Sequence, residues 1–304
     1  MQLLQAMINT VLPVFILAGL GWIARRVLKV EVKDPATISV YILTPALLAN
    51  SILNAQMVSS EIGKIVAFAL ALNGAMIIIT LTVGRLLGWT SVERNAAVLS
   101  AAFMNTANYG LPVILFAFGQ DGFDRAAVYV VMASLLMYTV AVFFAAHGRM
   151  DWRNAVKAVF KMPMVWAAAA ALTVRVSGIT LPEVITKPIG LLSNGCLVIL
   201  IIILGMQVAG IRLKGARFKI GVATFLRLIV SPLVALALVA FLKPEPLTGK
   251  VLVLEAAMPA AVNVTLLAVQ FDAEPEQVSG VTLVSTLVSL ATVTFWVWFL
   301  GGAA

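Results

Sequence analysis

Ala-Phe-Met-Asn-Thr-Ala-Asn-Tyr-Gly-Leu-Pro (102–112) lies inside an otherwise apolar run of helix length and carries the residues that interrupt a helix. Asn105, Thr106 and Asn108 compete for local backbone groups, Gly110 loosens the turn, and Pro112 removes a donor and disfavours helix at Leu111. A second stretch, Met-Pro-Ala-Ala-Val-Asn-Val-Thr (258–265), places Pro259, Asn263 and Thr265 in a comparable run. The surroundings make both breaks informative. The 304 residues are 62% apolar and 11% charged, with mean hydropathy +1.06, whereas a soluble domain carries about 25% charge. That composition excludes a secreted or cytosolic globular enzyme and predicts an all-α polytopic membrane protein. One Cys and one His exclude a disulfide scaffold or a Cys- or His-based metal centre.

At roughly 20 apolar residues per span, ten spans fit: 7–24, 35–53, 62–87, 95–118 and 123–146, then 163–177, 188–209, 218–242, 250–271 and 278–300. The first lacks a basic n-region and a small-residue cleavage site, so it reads as a retained span. A constant shift of 155 residues superposes the two sets of five, bringing Met7 onto Met162, Asn95 onto Lys250 and Phe123 onto Val278. It also lays Asn108 on Asn263 and Ser100–Met104 on Glu255–Pro259. The chain is therefore expected to divide into a five-helix repeat at 1–146, a loop at 147–162 and a second repeat at 163–304. Fourteen Lys and Arg, from Arg25 to Lys219, fall on the loops of one side. Lys64, Arg125, Arg175, Lys187, Lys243 and Lys250 fall on the other. By the positive-inside rule both termini are expected outside, and with five spans per half the repeats are inverted.

Non-helical backbone at membrane depth survives only where it lines a cavity or is buried in protein. Two interrupted spans in matching positions, here the fourth and ninth, mark a midplane substrate site. There the half-helix N-termini attract an anion and the freed carbonyls a cation. Substrate-binding candidates are Asn50, Asn105, Thr106, Asn108, Tyr109, Gly110, Pro259, Asn263 and Thr265, with Pro112 and Pro259 as the helix breaks.

Asn-Thr-Ala-Asn-Tyr-Gly-Leu-Pro (105–112) with Gly119, Ala-Ala-Met-Pro (256–259) running on to Gln270-Phe271 and Pro275, and Thr-Pro-Ala-Leu-Leu-Ala-Asn-Ser-Ile (44–52) resemble segments of the auxin efflux carrier family. That family includes the plant PIN-type carriers and bacterial members linked to malate or malonate. The resemblance covers essentially the whole chain, without the long central loop of many plant members. It implies a scaffold of spans 1, 2, 6 and 7, a mobile transport domain of spans 3–5 and 8–10, elevator-like motion, a homodimer and a cytoplasmic (inner) membrane location. It also places Asn105 and Pro259 at the crossover and Asn50 at the polar end of span 2, facing the substrate. The plant carriers have an uncharged polar residue where this chain has Glu255, so the substrate is not fixed as auxin.

A carboxylate inside a span costs about 2.5–3.5 kcal/mol on insertion scales. Glu255 stands four residues before Pro259, near freed carbonyls, and with Asn105 and Met258 it forms the expected cation-coupling group. Oxygen ligands suit sodium, and a desolvated carboxylate suits a proton. A more distant resemblance of Glu255-Ala-Ala-Met258 to bile acid sodium symporters puts sodium ahead. Arg227 is placed either to pair with an anionic substrate or buried acid, or to snorkel to the cytoplasmic interface. Gln56, Asn73, Ser134, Ser193, Asn194 and Gln207 read as interhelical glue. His147 belongs to a basic loop, and Trp296, Trp298 and Phe299 read as an interfacial belt. No Walker loop, Gly-x-Ser-x-Gly elbow or His-Glu-x-x-His sequence is present, and Glu255 reads as the only acid inside a span. The expectation is no enzyme, no organic cofactor and no nucleic-acid partner. The chain is expected to be a secondary transporter of a small carboxylate, with a passive channel or a non-transporting sensor as alternatives.

Overall fold

The computed structural model describes residues 2–55, 59–146, 160–211 and 216–302. Gln56, His147, Arg149, Arg153, Lys157, Arg212 and Lys214, and most of the 147–162 loop, lie outside the described residues. Those that are described are all-helical, apart from one isolated backbone bridge. In chain order the helices are α1 Gln2–Arg26, α2 Lys33–Asn54, α3 Ser60–Leu86, α4 Ser91–Ala102, α5 Thr106–Ala145, α6 Pro163–Ser177, α7 Glu183–Gly210 and α8 Arg217–Leu242. They end with α9 Pro246–Ala256, α10 Val262–Phe271 and α11 Pro275–Phe299. Seven of them are long and apolar enough to cross a membrane: α1, α2, α3, α5, α7, α8 and α11. Large apolar side chains such as Leu86, Leu191 and Phe241 stand exposed on their outer faces, as a lipid-facing surface requires.

Prolines shape these helices in one repeated way. Wide, π-type turns at Met7–Val11, Ser39–Leu43, Thr106–Gly110 and Leu226–Val230 are each followed by a proline in the second position of the next helical segment: Pro13, Pro45, Pro112 and Pro232. A proline ring cannot donate to the carbonyl four residues back and presses against it. Opening the turn by one residue relieves the clash without ending the helix. Pro112 is accordingly not where the fourth span breaks. The chain leaves the helix earlier, at Phe103 (φ −112°, ψ 112°) and Asn105 (φ −84°, ψ 68°). Gly110 (φ −65°, ψ −51°) closes the wide turn Thr106–Gly110, its N–H on Asn105 O, and does not end the helix. The 40-residue α5 is itself divided at Gly119, which has φ 67° and ψ −165°.

In the second half the chain leaves the helix between Ala256 and Val262, around Pro259. The helix ends at Ala102 and Ala256, and the restarts at Thr106 and Val262, match the 155-residue shift to within one residue.

The most extensive helix contacts join α1 to α7, α2 to α6 and α2 to α7. At the first of these, Gly21 and Gly205 bring backbone against backbone. Helix α4 starts at a full capping box. Thr90 Oγ1 accepts from the Glu93 N–H at 3.3 Å, and Glu93 Oε2 accepts from the Thr90 N–H at 2.9 Å. Glu93 also pairs with Lys219 at the start of α8. Thr90→Ala should lower stability by about 1 kcal/mol, read as a downward shift of the denaturation midpoint in detergent. An unchanged midpoint would remove the cap from the account of α4. The expected aromatic belt is partial, because Trp298 and Phe299 are exposed while Trp296 is buried. Cys196 is a buried core residue whose sulfur lies 3.8 Å from Thr44 Oγ1.

Candidate functional site

The two breaks meet. Met104 and Ala260 form an antiparallel bridge: Asn105 N–H donates to Pro259 O at 2.8 Å, and Ala261 N–H donates to Phe103 O at 3.0 Å. This short ladder satisfies backbone that no helix serves, as a low-dielectric interior demands. Side chains from neighbouring helices complete it. Asn73 of α3 donates to Ala102 O at 3.2 Å, Ser285 of α11 accepts from Ala260 N–H at 3.2 Å, and Tyr129 OH of α5 donates to Met104 Sδ at 3.2 Å.

Four half-helix ends gather around the ladder, the C-termini of α4 and α9 and the N-termini of α5 and α10. Their carbonyls are not free. Arg227, fully buried, donates through Nη1 to Ala101 O at 2.8 Å and through Nη2 to Ala256 O at 2.6 Å. Ser231 Oγ, in contact with the same guanidinium, donates to Ala256 O at 3.0 Å. Arg227 thus neither snorkels nor, among the described residues, makes an ion pair. Several carbonyls expected to be open to a cation, those of Ala101, Ala102, Phe103, Ala256 and Pro259, already accept hydrogen bonds.

Several buried polar atoms have no hydrogen-bond partner among the described residues, and those at the crossover are the Asn105 amide nitrogen, both oxygens of Glu255 and the Arg227 Nε. Glu255 is 0% exposed and its carboxylate lies against the backbone of Gly110, so close that a Cβ there would stand 2.5 Å from Oε2. Glu255 is not the only buried acid in a span. Asp124 of α5 is buried too, accepting from Gln120 Nε2 at 2.8 Å.

A cleft runs between α2 and α7 on one side and α5 and α10 on the other. Asn108, Ser134, Tyr138, Gln207 and Asn263 line its narrower part of about 100 Å³. It continues into a space of about 490 Å³ bordered by Lys33, Tyr41 and Leu266. Among the described residues, Lys33 is the only charged one on these walls. Asn108 Nδ2 donates across the cleft to Gln207 Oε1 at 3.3 Å.

The remaining candidates scatter. The Asn50 amide donates to Ser193 Oγ at 3.4 Å and accepts from Asn54 Nδ2 at 3.1 Å, and makes no bond to the crossover among the described residues. Thr265 meets the Thr282 hydroxyl at 3.2 Å. Tyr109 is buried, accepts from Ser289 at 3.0 Å and packs edge-on to Phe15. Thr106 is buried at the start of α5, and Met258 is buried with its N–H on Glu255 O at 3.1 Å. Gln207 and Tyr138 are cleft residues that the sequence did not single out as ligands. An isolated polar residue in a span is usually glue, and nothing local distinguishes these two.

The family model described as "Membrane transport protein" matches the chain twice, over residues 6–156 and 147–297. An uncharacterized transporter from Methanothermobacter thermautotrophicus is 29% identical over 298 residues, 95% of this chain and 96% of the relative. One from Methanocaldococcus jannaschii is 27% identical over 209 residues, 67% of each chain.

Proposed function

The chain belongs to the membrane transport protein family, that of the auxin efflux carriers, and from that premise we propose a secondary active transporter of a small organic anion. The proposed architecture is ten spans in two inverted repeats. Helix α4 with α5 as far as Gly119 forms the fourth span, the rest of α5 the fifth, and α9 with α10 the ninth. Helices α1, α2, α6 and α7 make the scaffold, supported by their extensive mutual contacts, and the other helices make a transport domain that moves as an elevator. The protein sits in the cytoplasmic membrane among lipid, as a homodimer, with both termini outside. The cleft then opens inward, because Lys33 lies on a cytoplasmic loop.

The observation that carries this reading is the paired breaks, with a buried, unpartnered amide donor at Asn105 three residues before Asn108, which lines a cleft whose described wall residues include one lysine and no acid. Neutral amides, half-helix N-termini and a lysine favour a carboxylate. Tyr41, Tyr138 and Leu266 favour one with an apolar body. Coupling is assigned to Glu255, since a carboxylate this buried must be neutralised by whatever cation reaches it. The sodium expected from sequence would meet the carbonyls of Ala101, Ala256 and Pro259 already accepting hydrogen bonds, which supports a proton instead.

The test is uptake of malate, malonate, indole-3-acetate and short aliphatic acids into proteoliposomes, under a sodium or a proton gradient. Saturable uptake with counterflow is expected. Asn105→Ala should weaken it by about tenfold, the loss of one charge-assisted hydrogen bond. Glu255→Gln should abolish the response to the gradient. Non-saturating flux without counterflow would instead make the protein a channel, and normal anion binding by Asn105→Ala would take the crossover out of the substrate site.

A further inference from the structure

We propose that Arg227 is a resident cation, holding the two half-helix C-termini of the crossover together as a bound metal ion would, and thereby leaving no vacancy for sodium there. The inference rests on the transporter reading only for its consequence in transport; its structural content stands apart.

Ala101 is the penultimate residue of α4 and Ala256 the last of α9. These two ends come from opposite halves of the chain, and each presents the negative pole of a half-helix. Arg227 spans both, one Nη nitrogen on each carbonyl. Its position inside the wide turn ahead of Pro232 and its contact with Ser231 aim the guanidinium inward. It is 0% exposed, and no carboxylate stands within ion-pair distance among the described residues. The nearest part of the chain that could supply one, Glu255, turns its carboxylate to Gly110 instead. The counter-charge of Arg227 is therefore the pair of dipole ends itself. A planar fork with several donors can bridge two carbonyls in fixed directions, which a lysine ammonium does less well. Because Arg227 belongs to the chain, this clamp is permanent. The two half-helices stay joined whether or not substrate is bound, and no ion has to be captured at that end to assemble the site.

The experiment compares wild type with Arg227→Ala and Arg227→Lys in detergent and in proteoliposomes. Wild type should melt at the same temperature in sodium and in choline chloride. Arg227→Ala should melt lower and transport at least about tenfold more slowly, and millimolar guanidinium chloride should restore at least half of both losses while leaving wild type unimproved. Arg227→Lys, which keeps the charge but not the fork, should fall between the two. The proposal is overturned if sodium selectively stabilises wild type, if Arg227→Ala melts like wild type, or if guanidinium restores nothing. Should Arg227→Ala fail to fold, the sodium comparison on wild type and the intermediate melting of Arg227→Lys still decide. If wild type moves none of the anions, the transport reading fails while the melting data continue to judge the clamp.

Discussion

Gly205→Ala is expected to prevent the assembly of a stable protein. A Cβ on Gly205 would stand 1.7 Å from Ala18 O and 2.6 Å from Ala18 C, and across the same interface a Cβ on Gly21 would stand 2.0 Å from Ile202 O. All of these are backbone atoms of facing helices, so no side-chain rotation relieves the overlap. Helices α1 and α7 must separate along their contact, the most extensive between any two helices. In lipid, small residues that let backbones approach are a main source of helix association, and overpacking a tight contact costs about 3 kcal/mol or more when only backbone can yield. The readout is size-exclusion chromatography and the melting midpoint in detergent. Gly195→Ala on the same helix is the control, because a Cβ there meets nothing within 4 Å and helix propensity favours the change by up to about 1 kcal/mol. Equal behaviour of the two variants would show that the α1–α7 contact is looser than described.

What the sequence discloses here follows the distinction between local and non-local causes. Pro13, Pro45, Pro112 and Pro232 each perturb their own helix, and such effects are local enough to read. Their outcome is a wide turn, not a break. Reading Pro112 as a break misplaces the interruption of the fourth span, because α4 ends where Pro259–Ala261, from the other half of the chain, offer its backbone an alternative. Met104 pairs with Ala260, and neither residue is unusual in its own context. The repeat is legible as matched hydropathy, and the helix ends follow it closely. Ligand assignments are less so. Asn50 carries the same amide as Asn105, yet its Nδ2 donates to Ser193 and its Oδ1 accepts from Asn54, while the Asn105 nitrogen is left unpartnered. Arg227 looks from sequence like a snorkelling residue near a cytoplasmic end. Its actual partners are carbonyls freed by breaks in two other helices, which only the fold brings within reach.

Gly110→Ala should strike at Glu255, the proposed coupling group, without touching its chemistry. The added methyl would lie 2.5 Å from Glu255 Oε2 and 2.9 Å from Oε1. Gly110 itself is helical, so alanine suits the backbone there. Any defect must therefore come from the collision with Glu255, whose side chain is fully buried. Gly110→Ala is expected to reduce gradient-driven uptake by at least about tenfold, a loss equivalent to roughly 1.4 kcal/mol. Shortening the partner should relieve it. Glu255→Asp withdraws the carboxylate by one methylene, so the double variant should transport better than Gly110→Ala alone, an interaction of opposite sign to the single effects. Simple additivity of the two losses would mean that the carboxylate does not rest on Gly110 during transport, and Glu255 would then act from another position in the cycle.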